Sequence, residues 1–138
     1  FNACWQLIDL PKRTLEEERS MIRLAESSYW HWQQVTDRTA ENDSIGLWQL
    51  ARAYALTGEG VTALEYARLC LKTARDNDLG PFHIGYGLEG TARAYQVQGM
   101  KNECNTFLEE AWAFVPQIAD LGSRELLEAD LQTIAPKS

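Results

Sequence analysis

Arg52 and Arg93 are the side chains with most to offer a ligand. Each sits in the tetrad Ala-Arg-Ala-Tyr, at 51–54 and again at 92–95. A guanidinium presents forked donors that suit a carboxylate or a phosphate, and two in equivalent places would present a pair. The competing reading is plain solvation: Glu89 and Arg93 stand four apart, the spacing of an ion pair on one helix, and Arg52 would then only hydrate a helix surface. His31 and His83 are the candidate proton carriers of an enzyme reading, but neither comes with a nucleophile in a supporting pattern, so packed or surface histidines are expected and no catalytic residue is assigned. Cys4, Cys70 and Cys104 are odd in number and lack metal-ligand spacing, and no H-E-x-x-H pairs the histidines. Reduced structural thiols, no metal and no cofactor are therefore expected. Gly85, Gly87 and Gly90 match the spacing of a dinucleotide fingerprint; with no strand before them, the phosphate cradle is not expected.

The bulk charge narrows the partners. A net charge of -7 disfavours nucleic acid, whose phosphates need a basic stripe, and an anionic membrane surface. No apolar run reaches the ~20 residues of a membrane span and no signal peptide is visible, so a cytoplasmic protein is expected. At 138 residues, 45% of them hydrophobic, the chain fits a single globular domain over 1–138.

The elements that must position the arginines come from a repeat. Besides the tetrad, Leu47 returns as Leu88 and Gly58 as Gly99, about 41 residues later, and Asp78-Leu79-Gly80 is echoed at Asp120-Leu121-Gly122. A helical hairpin that repeats cannot bury its apolar face alone, so copies must stack. Residues 1–12 read as an irregular arm stopped by Pro11. Thr14 and Glu17 form a capping box opening a long helix over 14–37, with Leu15, Ile22, Ala25, Tyr29 and Trp32 as its apolar stripe. Repeat units follow over 44–77 and 85–117, the first capped by Asn42 or Asp43. Gly58 and Gly99 fall at the turns within the units. Pro81 suits the first turn of a helix, and Lys101 to Gln117 reads as one helix. A capping helix over 123–134, started by Ser123 and ended by Pro136, closes the chain. About six helices and no strand give an all-α class.

The two units resemble tetratricopeptide repeats. Leu47, Leu50, Ala51, Tyr54, Ala63, Ala67 and Cys70 fall on that family's positions, as do Leu88, Thr91, Ala92, Tyr95, Cys104, Leu108 and Ala111. The initial tryptophan, the second-helix aromatic and the final proline of the pattern are missing, and the period exceeds the family's ~34 residues. The segment from Met21 to Trp32 with these repeats more loosely resembles bacterial proteins with tetratricopeptide-like cores. The resemblance implies a stack of antiparallel hairpins in a right-handed superhelix, TPR-like, that binds through its concave face. Carried over by position, that face would hold Ile45, Trp48, Arg52 and Ala55 from one unit and Tyr86, Glu89, Arg93 and Gln96 from the next. It implies an interaction module for a protein or peptide; an aromatic beside each arginine would make a mixed groove of the kind that holds a peptide end or a small ligand. A small-ligand sensor or enzyme in the same concavity, and a structural or assembly role, are the alternatives.

Trp30-His31-Trp32 adds a second surface. Successive helical residues point ~100° apart, so Trp30 cannot share the stripe that Trp32 continues. Trp30, with His31, is the expected contact of a homodimer.

Overall fold

The computed structural model describes residues 2–134, all of whose regular elements are helical. Seven α-helices run in order among them: α1 (Asn2–Ile8), α2 (Leu15–Gln33), α3 (Ala40–Leu56), α4 (Gly60–Asp76), α5 (Pro81–Val97), α6 (Lys101–Phe114) and α7 (Leu121–Gln132). The expected irregular arm is a two-turn helix, its end held by Arg13, whose Nη1 donates to the carbonyls of Leu7, Ile8 and Leu10 at 2.8–3.2 Å. At α2 the capping box is present: Glu17 N–H donates to Thr14 Oγ1 and Thr14 N–H to Glu17 Oε1. That helix stops four residues short of Asp37. A second box, Thr39 with Asn42, opens α3, so the cap is Thr39 and Asn42 is its third helical residue rather than its start. The expected helix to Gln117 tightens into a 3-10 turn at Val115–Gln117. Asp120 caps α7 by accepting from Ser123 N–H, which corrects the assignment of the cap to Ser123. Pro136 lies outside the described residues.

Two hairpins form the centre. Gly58 and Gly99 take φ of 83° and 74° after α3 and α5, a conformation glycine reaches without steric cost. Each turn closes identically, with Glu59 N–H donating to Tyr54 O and Met100 N–H to Tyr95 O. Helix α3 packs on α4, α5 on α6, and α4 on α5; α3 also touches α5 directly. Helices α1 and α2 cover the α3 side, while α7 covers α5 and α6.

Small residues let these helices approach. Ala51, Ala53, Ala63, Ala67, Cys70, Ala92, Ala94 and Cys104 are all buried. A Cβ on Gly87 would stand 2.7 Å from Leu71 Cα, so α4 and α5 meet there backbone to backbone. Tyr54 and Tyr95 fill matching places. Tyr54 stacks on Tyr66 (5.7 Å between centroids) and Tyr95 on Phe107 (5.6 Å). Tyr66 and Phe107 are themselves 41 apart (107 − 66), an echo within the second helices that the sequence pattern does not announce. Glu26 of α2 accepts from both Tyr54 and Tyr66 hydroxyls, tying α2 to the first hairpin. Two residues of the α2 stripe depart from expectation: Leu15 is 62% exposed and Trp32 is 38% exposed, so the buried contacts of that helix are Met21 and Ala25.

Candidate functional site

A cleft of about 460 Å³ opens where α1, α3, α5 and α7 face one another. Ser44, Trp48 and Arg52 enter from α3 at intervals of four, one helical turn apart, with Ile45 next to Ser44. Phe82, His83 and Tyr86 enter from the first turns of α5, which Pro81 opens. Trp5, Ile8 and Asp9 close one side, and Leu126 and Asp130 of α7 the other.

Its walls are aromatic. Trp48 lies at the centre, stacked by Trp5 (5.1 Å, 25°) and met edge-on by Tyr86 (5.1 Å, 78°). Phe82 meets Tyr86 edge-on in turn, at 5.1 Å. Ile45 and Leu126 remain exposed at the rim. Such walls offer a large apolar contact area with few moving parts.

The floor is an ion cluster built on Glu89, which is fully buried. Trp48 Nε1–H donates to its Oε1 at 2.7 Å. Arg93 donates to Oε2 from Nε at 2.9 Å, with Nη2 at 2.8 Å, and Arg52 donates from Nη1 at 3.3 Å. Asp130 completes the cluster: it accepts from the Tyr86 hydroxyl at 2.5 Å and stands 3.6 Å from Arg52 Nη2. Two cations thus meet two carboxylates, and the carboxylate that both arginines share belongs to the chain itself.

The two arginines differ in how they are held. Arg93 also donates to the Asp130 carbonyl at 3.1 Å and to Thr133 Oγ1 at 2.6 Å. Arg52 makes its hydrogen bond to Glu89 and lies with its guanidinium carbon 5.6 Å from the Trp48 ring centroid, a cation–π contact; its buried Nε–H has no acceptor among the described residues. Burial pulls the Arg52 pKa below the ordinary arginine value, against the opposing effect of Glu89. Burial likewise pushes the Asp130 carboxyl up, against the lowering hydrogen bond from Tyr86. Burial first, and then the hydrogen bond to Asp130, drives the Tyr86 phenol far above its usual value, so Tyr86 remains a donor.

The residues expected to share a face divide as follows. Trp48, Arg52, Tyr86, Glu89 and Arg93 are brought together, with Trp48, Arg52 and Tyr86 at the cleft surface and Glu89 and Arg93 beneath it. Ile45 joins them at the rim. Gln96 does not line the cleft, and Ala55 packs against Ala63 and Ala94 instead. His83 lines the cleft 3.4 Å from Glu41 Oε2, whereas Trp30 and His31 are exposed on α2 away from it. Trp5, Phe82, Leu126 and Asp130 were not foreseen. A signal for Asp130 does exist, since Trp48, Glu89 and Asp130 are spaced 41 and 41 apart (89 − 48, 130 − 89).

Besides the Tyr86 phenol the cleft holds the hydroxyl of Ser44, whose partner is Cys70 Sγ at 3.6 Å rather than a base. Burial raises the Cys70 thiol to about 12, which leaves it unreactive. Among the described residues no group of histidines, cysteines and carboxylates could hold a metal ion, and no helix is long and apolar enough to cross a membrane. Comparison with protein-family models, curated proteins and solved structures finds no match.

Proposed function

We propose that this chain is an interaction module, a TPR-like stack of helical hairpins whose inner face takes a segment of a peptide or protein in the cleft of α1, α3, α5 and α7. One observation supports this above the others: aromatic walls around Trp48 and exposed apolar lips at Ile45 and Leu126 stand over a floor whose charges are already matched. Such a surface gains from covering an apolar side chain and needs no counter-ion from it. Direct contact of α3 with α5 agrees with first helices lining one inner face. The test is selection of peptides on the immobilised chain, followed by binding to Ile45→Asp and Leu126→Asp variants. Leu126 is 55% and Ile45 37% exposed, so circular dichroism accompanies each variant to show that it folds, and affinity is expected to fall at least tenfold. Binding unchanged in both variants would remove the cleft as the site.

A second reading, a small apolar ligand, draws on the cleft's size, which falls within the ~300–1,000 Å³ of small-molecule pockets. Native mass spectrometry of freshly purified protein separates it from the first, since a retained small mass would favour it. Trp30, 65% exposed, is the contact proposed for a homodimer. Light scattering of Trp30→Ala beside the unaltered chain tests it, and identical monomers would end it.

A further inference from the structure

We infer that the cleft takes an internal stretch of a partner peptide, the uncharged backbone C=O and N–H of one extended residue against Arg52 and Asp130 with its apolar side chain against Trp48, and not a free carboxyl or amino end. This rests on the proposed binding role of the cleft and specifies what occupies it.

The charges facing the cleft decide the matter. Arg52 Nη2 and Asp130 Oδ1 are 3.6 Å apart, close enough to attract but too far for a hydrogen bond. Arg52 donates a single long hydrogen bond to Glu89, while its counterpart Arg93 is held by Glu89, the Asp130 carbonyl and Thr133. Asp130 accepts from Tyr86 on one oxygen and has acceptor capacity left on the other. A donor and an acceptor therefore stand side by side at the aromatic wall, each with unused capacity.

Each charged occupant meets an opponent here. A carboxylate brought to Arg52 must come beside Asp130, with Asp9 also on the cleft wall. An ammonium brought to Asp130 must come beside Arg52. Like charges at such separations are strongly unfavourable where water is scarce. The backbone of an internal residue carries no net charge, and in the extended conformation that residue's own C=O and N–H, from two successive peptide groups, point to the same side and meet Arg52 and Asp130 at neighbouring positions. Burial acts in the same direction, since it disfavours both the Arg52 cation and the Asp130 anion, and such a backbone serves both without adding charge. The exposed apolar lips Ile45, from α3, and Leu126, from α7, offer contact area for the residues that flank the bound one in an internal stretch.

Three small probes differ only in this respect. N-acetyl-phenylalaninamide mimics an internal residue, N-acetyl-phenylalanine a carboxyl end and phenylalaninamide an amino end. Binding is read from the NMR shifts of the Trp5 and Trp48 indole N–H groups, or from their fluorescence. For about 15 heavy atoms a dissociation constant near ~0.5 mM is the expected scale. The neutral amide is expected to bind about tenfold more tightly than either charged probe. Arg52→Gln should move the preference to phenylalaninamide, because Asp130 is left without its neighbour, and Asp130→Asn should move it to N-acetyl-phenylalanine. A merely structural role for the pair would weaken all three probes alike. Either charged probe binding the unaltered protein as well as the neutral one would overturn this inference and leave the cleft as a binding site. Failure of all three to shift the indole signals at ~10 mM would overturn the binding role of the cleft itself. If one variant does not fold, as judged by circular dichroism, the other alone decides whether the preference moves.

Discussion

Replacing Glu89 by glutamine keeps the shape of the side chain and removes its charge, which makes it the sharpest test of the floor. Glu89 is the shared acceptor of Trp48, Arg52 and Arg93, at 2.7, 3.3 and 2.9 Å. Glutamine leaves two guanidinium groups facing each other across its position, with Asp130 as the remaining carboxylate. It also presents an NH2 group to one of the donors that Glu89 accepts from. Losing one partner of a buried ion pair typically costs ~3–5 kcal/mol. The arginine side chains are still 14% and 11% exposed, so some water reaches them and the lower end, about 3 kcal/mol, is expected. Urea denaturation should show that loss, with a fall in Tm of roughly 10 °C for a chain of this size. The triple change Glu89→Met, Arg52→Met and Arg93→Met is the control. It removes the three charges that meet at Glu89 while leaving Asp130 with its Tyr86 hydrogen bond and Trp48 Nε1–H without its acceptor, so it should recover part of the loss, since apolar replacement of buried ion partners together is often neutral. A Glu89→Gln loss under ~1 kcal/mol would refute the cluster as the element that pins α3, α5 and α7 together.

Gly87→Ala should destabilise by about 1–2 kcal/mol, because its Cβ would stand 2.7 Å from Leu71 Cα and overpacking outweighs the gain in helix propensity. Gly90→Ala, whose nearest contact would be 3.4 Å, should instead be neutral or stabilising by up to ~1 kcal/mol, and thermal melts of the two separate close approach from mere helix weakness. Tyr95→Ala should cost ~3 kcal/mol in the same assay, whereas Tyr54→Phe, which loses only its hydroxyl contact to Glu26, should cost about 1 kcal/mol. Burial raises Cys4 to about 11 and Cys70 to about 12, from 9.0. Their contribution to stability is therefore whole below pH 9 and lost as pH climbs toward those values, because the unfolded chain ionises first. Denaturation at pH 8 and pH 10 should differ by roughly 1 kcal/mol per thiol, and a thiol reagent should label Cys70 only on unfolding.

What the amino-acid order could announce was mostly short in range, though the caps at Thr39 and Asp120 and the helix of the arm were not among it. Helix class, the Thr14–Glu17 box and the glycine turns at 58 and 99 depend on residues within five positions of one another. The repeat then placed Tyr54 and Tyr95 in matching surroundings, because one packing solution had been used twice. It also brought Trp48, Arg52, Tyr86, Glu89 and Arg93 to one place, since they lie on one helical face in successive units.

Only the tertiary structure decided what those residues do to each other. An arginine pair looks available for an outside anion until Glu89, between them, is seen to accept from both. Asp130, Trp5 and Leu126 joined the cleft through packing of the end helices, contacts between residues 37 to 44 positions apart or more that no local pattern encodes. Likewise Trp32 looked like core by its spacing, yet it stands 38% exposed, since α2 has one neighbouring hairpin to cover its stripe and not two. Periodicity tells which side chains share a face; the arrangement of neighbours sets whether that face is buried, paired or left to bind.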